Sequence, residues 1–299
     1  MENDEMITDS TIAELPWEWS EHFVSIGSLR IHYWDAHRSG APIGVEADTL
    51  VALHGMSSHG DSWRQVVDQL STFDRVICPD FRGHGLSDWT QDGYWLSDYA
   101  TDTVEIVDAL GIDRFSLIGH SLGARVAMVL GTRLVGRLNC VVLSDTGPEV
   151  SREGALKALA ISSETSQSNG FRDEAALRSF LEKENEGYSA EAIETRATKL
   201  YRKNWADRWV HRGDPEVTWL LGKAGLKEVG DMWNGLKAYE CPALLIHCAQ
   251  SFLLDEDLVT RMSAACPLLS VVTLDADHMV LYKNPDLFRH TLEEFVSGR

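Results

Sequence analysis

The stretch SLIGHSLGARVAM, residues 116–128, sets Ser121 between Gly119 and Gly123, with an apolar run before it and a small-residue run after it. A serine hydroxyl attacks a carbonyl at neutral pH only when a base takes its proton and donors receive the developing oxyanion. An apolar strand, then G-x-S-x-G, then a helix describes a sharp turn that lifts the serine out of a sheet. Side chains at Gly119 and Gly123 would collide with the neighbouring strand and helix. Ser121 would stand at a helix N-terminus, where backbone N–H groups favour negative charge. The five-residue pattern alone is a weak signal; the strand before it and the small residues Ala124 and Ala127 after it make it a strong one.

Such a turn needs a sheet, and the sequence supplies one. HFVSIGSLRIHYWDA alternates apolar and polar residues and reads as a hairpin around Gly27 and Ser28. DTLVALHG, DRVICPD, RFSLIGH and LNCVVLSD are short apolar runs, separated by helical patterns such as DSWRQVVDQLS and YATDTVEIVDALG. Strands alternating with helices predict an α/β fold, a mostly parallel sheet covered on both faces. The alternation stops near Pro148, gives way to a helical, polar-aromatic stretch without a convincing strand, and resumes at CPALLIHCA. The expected organisation is an acidic, poorly ordered leader over 1–19, an α/β core over 20–147 and 239–299, and a helical lid over 148–238.

Four motifs, in order, resemble the α/β-hydrolase superfamily. LHGMSSHGDSW (53–63) is similar to its oxyanion loop and DFRGHGLSD (80–88) to the loop after the next strand; GHSLG is similar to its nucleophile elbow. DADHMVLYKNPDLF (275–288) is similar to the loop that carries its catalytic histidine. The resemblance runs from residue 22 to 298 and is least certain over the insertion, which follows the sixth strand. It implies Ser121 as nucleophile, His278 as the base, and an oxyanion hole from the backbone N–H groups of Met56 and Leu122. The other histidines take plainer roles: His54 and His84 as loop supports, His120 as a wall of the pocket, and His247 as a core residue.

The third member of the triad departs from the family's majority pattern. The family usually carries its acid after the strand that here reads ALLIHCA (243–249), where Phe252 now stands. A phenylalanine cannot accept the imidazole N–H. Asp255, three residues further on, is one alternative, although DEDL also reads as a helix start with Asp255 as its N-cap. Asp145, closing LNCVVLSD 24 residues after Ser121, is the other and is favoured, because it falls at the carboxyl end of the adjacent strand. An acid there is similar to the subgroup that includes N-formylmaleamate deformylase, (acetamidomethylene)succinate hydrolase and the zearalenone-type lactonases.

The insertion carries many aromatic residues. Most of them are expected to glue its helices together, while some, with Trp205, Trp209, Trp219 and Trp233 as candidates, line a largely apolar substrate pocket. Arg196, Arg202, Arg208 and Arg212 lie there too, and nothing in the sequence singles one out as a partner for a substrate carboxylate. The formal net charge of −19 argues against nucleic acid and anionic membrane as partners. The acidic start lacks a basic and an apolar region of a secretory signal, no apolar run approaches the roughly 18 residues of a membrane span, and five cysteines in strand-like settings read as buried free thiols. A cytoplasmic location is the expectation.

No cofactor or metal is implied: the glycines lack dinucleotide spacing, FRGHGLS lacks a P-loop lysine, and no Cys or His spacing resembles a zinc site. The leading expectation is a serine hydrolase for a small, partly apolar carboxylic ester or lactone, with an amide ranked below them. A carbon–carbon bond hydrolase, an acyl transferase and a low-turnover ligand receptor on the same scaffold are the alternatives.

Overall fold

The computed structural model describes residues 16–91, 93–165, 170–218 and 225–298. β1 (Trp17–Ile26) and β2 (Leu29–Arg38) form the expected hairpin, paired in continuous register from Trp17 opposite Arg38 to Ile26 opposite Leu29. Gly27, at φ 56°, supplies the left-handed residue of its turn. The strand begins at Trp17, inside the expected leader, because the alternation extends back through W-E-W. Trp17 and Trp19 fasten it by donating from their indoles to the Leu70 carbonyl and the Asp68 carboxylate. Of the leader, residues 1–15 lie outside the described residues.

β3 (Thr49–Leu53), α1 (Arg64–Val67), β4 (Arg75–Pro79), α2 (Leu96–Ala109), β5 (Phe115–His120), α3 (Leu122–Leu130) and β6 (Leu138–Ser144) follow in turn. After the insertion come β9 (Ala243–Cys248), α9 (Glu256–Ala265), β10 (Leu269–Leu274), α10 (Val280–Lys283) and α11 (Pro285–Ser297). One eight-stranded sheet runs β1-β2-β4-β3-β5-β6-β9-β10, antiparallel at β1-β2-β4 and parallel from there on. β3, β5 and β9 are buried along their whole length, which is why they read as unbroken apolar runs rather than as alternating ones. Two buried clusters, one on each face of the sheet, make the core.

The register of the central strands positions the chemistry. His120 pairs with Ser144, and Ser144 with Ile246, so β5 and β6 end level with one another while β9 runs two residues further, to Cys248. Ser121 and Asp145, each the next residue, therefore emerge side by side at the carboxyl edge of the sheet, where α/β proteins gather their sites.

The insertion holds α4 (Arg152–Thr165), α5 (Glu174–Glu184), α6 (Ala190–Lys199), β7 (Tyr201–Lys203), β8 (Trp209–His211), α7 (Gly225–Lys227) and α8 (Val229–Lys237). Two findings correct the expectation of a purely helical lid over 148–238. β7 and β8 pair as a small antiparallel hairpin, whose three-residue strands are too short to show a period in sequence. And α8 belongs to the core layer: Met232 and Leu236 join the same buried cluster as α3. Gly131 and Gly235 let the two helix backbones touch, since a Cβ on Gly235 would stand 1.6 Å from the Met128 carbonyl oxygen. The remaining insertion has its own small core of Phe171, Leu177, Leu181, Ile193, Leu200 and Tyr201. No helix among the described residues is long and apolar enough to cross a membrane.

Candidate active site

Ser121 occupies a strained turn. Its φ of 54° and ψ of −112° are uncommon for a residue with a side chain and persist only where the surroundings enforce them. Packing supplies the enforcement. A Cβ on Gly119 would lie 2.3 Å from the Gly123 carbonyl, and one on Gly123 would lie 2.2 Å from the Leu53 oxygen. The two glycines thus let strand, turn and helix pass within backbone contact, while the Ser121 amide donates to the Ser144 carbonyl at 3.1 Å.

The candidate base and the candidate acid meet from distant parts of the chain. His278 Nδ1 lies 2.8 Å from Asp145 Oδ2, with Asp145 fully buried and His278 6% exposed. The other carboxylate oxygen accepts from the Cys248 amide at 2.9 Å, and the Asp145 amide donates to the Ile246 carbonyl at 2.8 Å. Burial alone would raise the Asp145 pKa; the hydrogen bond and charge of His278, the Cys248 amide and the Ser251 hydroxyl outweigh it and hold it below the usual carboxylate value. Asp145 also sits at φ 49°, a second left-handed non-glycine residue in the site.

Asp255 is not brought to the imidazole. Its side chain accepts from the Leu258 amide at 2.8 Å as the N-cap of α9. Phe252 instead packs edge-on against the His278 ring, with centroids 5.4 Å apart and an interplanar angle of 66°. On the other side His120 stacks on the same ring at 4.9 Å, and its Nε2 is 2.9 Å from the His278 carbonyl oxygen. Burial, then the nearby charge of His278, lowers the His120 pKa to about 3, so this neighbour is neutral.

A cavity of about 660 Å³ opens over these groups. Ser121, His278, Met56 and Leu122 all line it, so the expected nucleophile, base and oxyanion donors share one chamber. Among the described residues no group of three His, Cys, Asp or Glu side chains is placed to hold a metal ion.

The Alpha/beta hydrolase family model matches residues 50–291. The chain belongs to that family. Among its curated relatives, 2-(acetamidomethylene)succinate hydrolase of Mesorhizobium japonicum is 27% identical over 284 residues, which is 93% of this chain and 97% of the relative. 3-Hydroxybutyrate-oligomer hydrolase of Cupriavidus necator is 26% identical over 274 residues, 87% of this chain and 92% of the relative. Among solved structures, an E-2-(acetamidomethylene)succinate hydrolase superposes with a TM-score of 0.81 at 24% identity, covering 94% of this chain and all of that one. The N-formylmaleamic acid deformylase of Pseudomonas putida S16 superposes at 0.68 with 18% identity, over 92% of this chain and all of the other.

Within this alpha/beta hydrolase the remaining site candidates fall differently from expectation. None of the described tryptophans of the insertion lines the cavity. Trp205 is 98% exposed. Trp209 packs on the insertion's own core and bridges to Phe171. Trp233, carried on α8, leans on the α3 cluster and donates to Glu149 at 2.9 Å. Trp219 lies outside the described residues. The aromatic walls are Phe180, Tyr188, Phe252 and Tyr282 instead. Tyr282 had a weak signal: it follows His278 by four residues within the stretch DADHMVLYKNPDLF. Its ring stacks on Tyr188 at 5.2 Å and 7°.

The loop histidines support rather than react. His54 Nδ1 donates to the Gly55 carbonyl at 2.7 Å and Nε2 accepts from the Phe81 amide at 3.0 Å, tying the loops after β3 and β4 together. Its pKa is lowered to about 3 by burial, then by the charge of His84. Asp80 holds the same loops, accepting from the Gly60 and Leu86 amides at 2.6 and 2.8 Å. The five cysteines are buried free thiols.

Proposed function

We propose that this alpha/beta hydrolase cleaves a carboxylic ester or lactone through an acyl-enzyme on Ser121. The observation that carries the reading is the buried Asp145–His278 pair opening onto the same cavity as Ser121. In this mechanism His278 Nε2 takes the proton of Ser121 Oγ as the oxygen attacks the substrate carbonyl. The Met56 and Leu122 amides receive the tetrahedral oxyanion, each worth about 3 kcal/mol of barrier. Collapse expels the alcohol with the proton from His278. Water, deprotonated by the same imidazole, then releases the acid and restores Ser121. Asp145 fixes the tautomer and steadies the imidazolium.

The inserted segment serves as the lid of the site. Its Phe180 and Tyr188 form walls, and the cavity volume suits a small molecule. An amide is the second reading, and a relative aligned over nearly its whole length favours it, since its name is that of a hydrolase of an acetamidomethylene compound.

The test is a panel of 4-nitrophenyl esters, lactones and amides run beside fluorophosphonate labelling, with Ser121→Ala as control. The reading expects turnover of at least one ester or lactone and covalent labelling, both lost in Ser121→Ala. A folded protein that neither labels nor turns over any of them refutes it.

A further inference from the structure

We infer that the substrate carries a carboxylate in addition to its scissile bond and that Arg196 is the residue that recognises it. This rests on the serine-hydrolase reading and names its substrate class.

The insertion holds four arginines that sequence leaves equivalent, and the structure separates them. Arg202 is exposed. Arg208 donates to the Gly170 carbonyl at 2.6 Å, and Arg212 to the Tyr201 carbonyl at 3.2 Å. Arg196 differs from all three: it is 8% exposed and lines the cavity that contains Ser121 and His278. Among the described residues its guanidinium has no ion-pair partner, and its buried Nε has no hydrogen-bond partner. It lies over the rings of Tyr188 and Tyr282, 5.7 and 5.9 Å from their centroids.

None of the carboxylates that share its pockets, among them Glu184, Glu186 and Glu191, is ion-paired with it among the described residues. Asp61 is bound by Arg64, Asp277 by Lys283 and Glu194 by Arg178. On the same cavity wall Arg125 donates to the Pro148 carbonyl and lies in the field of Glu228. A buried cation without an anion is costly, and the faces of two tyrosines offset only part of that cost. A carboxylate entering the cavity supplies the rest, because a guanidinium can grip it with two parallel hydrogen bonds.

A hydroxyl pair stands in the same wall: Ser58 Oγ and Tyr282 Oη, 2.8 Å apart and buried. Tyr282 follows the base by four residues and Ser58 follows Met56 by two, which sets this seat close to the reacting centre. The substrate is therefore bifunctional, one end anchored at Arg196 and the other presenting its carbonyl to Ser121. With a net charge of −19 the general surface repels anions, so selection falls to a sheltered cation such as Arg196.

The experiment compares kcat/KM for two matched pairs: mono-4-nitrophenyl glutarate against 4-nitrophenyl pentanoate, and 4-acetoxybenzoate against phenyl acetate. The first pair carries its carboxylate on the acyl side and the second on the leaving group. Wild type is expected to prefer the charged member of at least one pair by about 10- to 100-fold, the range for a charge-assisted hydrogen bond. Arg196→Met should erase that preference, with the charged member losing far more than the neutral one, while Arg196→Lys keeps part of it. No preference in wild type, or an equal loss on both members in Arg196→Met, overturns the inference. Should all four esters go unhydrolysed, the ester reading fails by itself. The seat is then read from glutarate alone: a rise in wild-type Tm supports it, and its absence overturns it.

Discussion

Asp145 Oδ2 and His278 Nδ1 stand 2.8 Å apart although 133 residues separate them in sequence. Asp145 follows the end of β6, one strand short of the majority position of the acid, and Phe252 packs beside the imidazole. Two substitutions separate the candidates. Asp145→Asn keeps an acceptor for the Cys248 amide but favours the wrong imidazole tautomer, and kcat on a 4-nitrophenyl ester should fall by roughly 10³- to 10⁴-fold. Asp255→Ala removes only an N-cap, so it should cost about 1 kcal/mol in a urea melt and leave kcat unchanged. The reverse outcome transfers the role to Asp255.

What sequence could reveal here depends on how local the constraint is. Ser121 and its two glycines are legible because backbone contact at a tight turn dictates residue type over five positions. Asp145 is legible as a candidate, since it ends a strand next to the serine's. The sequence favours it over Asp255 on that ground, and the hydrogen bond to His278 depends on the sheet order, which spacing does not give. The tryptophans show the opposite limit. Composition says that the insertion is aromatic, but not that Trp205 points into solvent while Tyr188 and Tyr282 face the cavity. The same holds for the four arginines, which share one sequence pattern and have four different surroundings.

The contact between α3 and α8 should be unforgiving. A methyl at Gly235 would press on the Met128 carbonyl, and Gly235→Ala must push the helices apart. A loss of about 1–3 kcal/mol is expected by thermal or urea unfolding. Gly230, on the same helix, has open space around it, so Gly230→Ala should stabilise by about 0.5–1 kcal/mol. Equal effects from the two changes would mean that the helices are not in backbone contact.

Asp80 is the buried tie between the loops that frame the site. Besides the Gly60 and Leu86 amides it pairs with His32 Nδ1 at 2.8 Å. Burial would raise its pKa; the His32 hydrogen bond and charge, with His59 and His54, bring it down to about 2 instead. Asp80→Asn keeps the fold's shape and leaves His32 facing a neutral amide. It should cost about 3 kcal/mol or more in a urea melt, the range for breaking a buried pair. A change within error would show that the amide substitutes fully.

Acid should unfold this protein in two stages. His54, His120 and His211 have pKa values lowered to about 3, and His59 and His84 to about 4, in each case first through burial. An unfolded histidine titrates near 6.5, so between that pH and 3 to 4 the unfolded chain holds more protons than the folded one. Stability is therefore fully present above pH 6.5 and falls as pH drops, by about 2 kcal/mol per buried histidine at pH 5. Asp80 enters later: its folded pKa lies below the unfolded value, so its contribution persists until pH falls through about 4 and is lost toward 2. Urea midpoints measured from pH 8 to 5 should be flat down to about 6.5 and then decline steeply, before Asp80 titrates. A midpoint constant down to pH 5 would mean that these imidazoles are charged in the folded protein, and the hydrogen bond that His54 accepts from the Phe81 amide would then not exist.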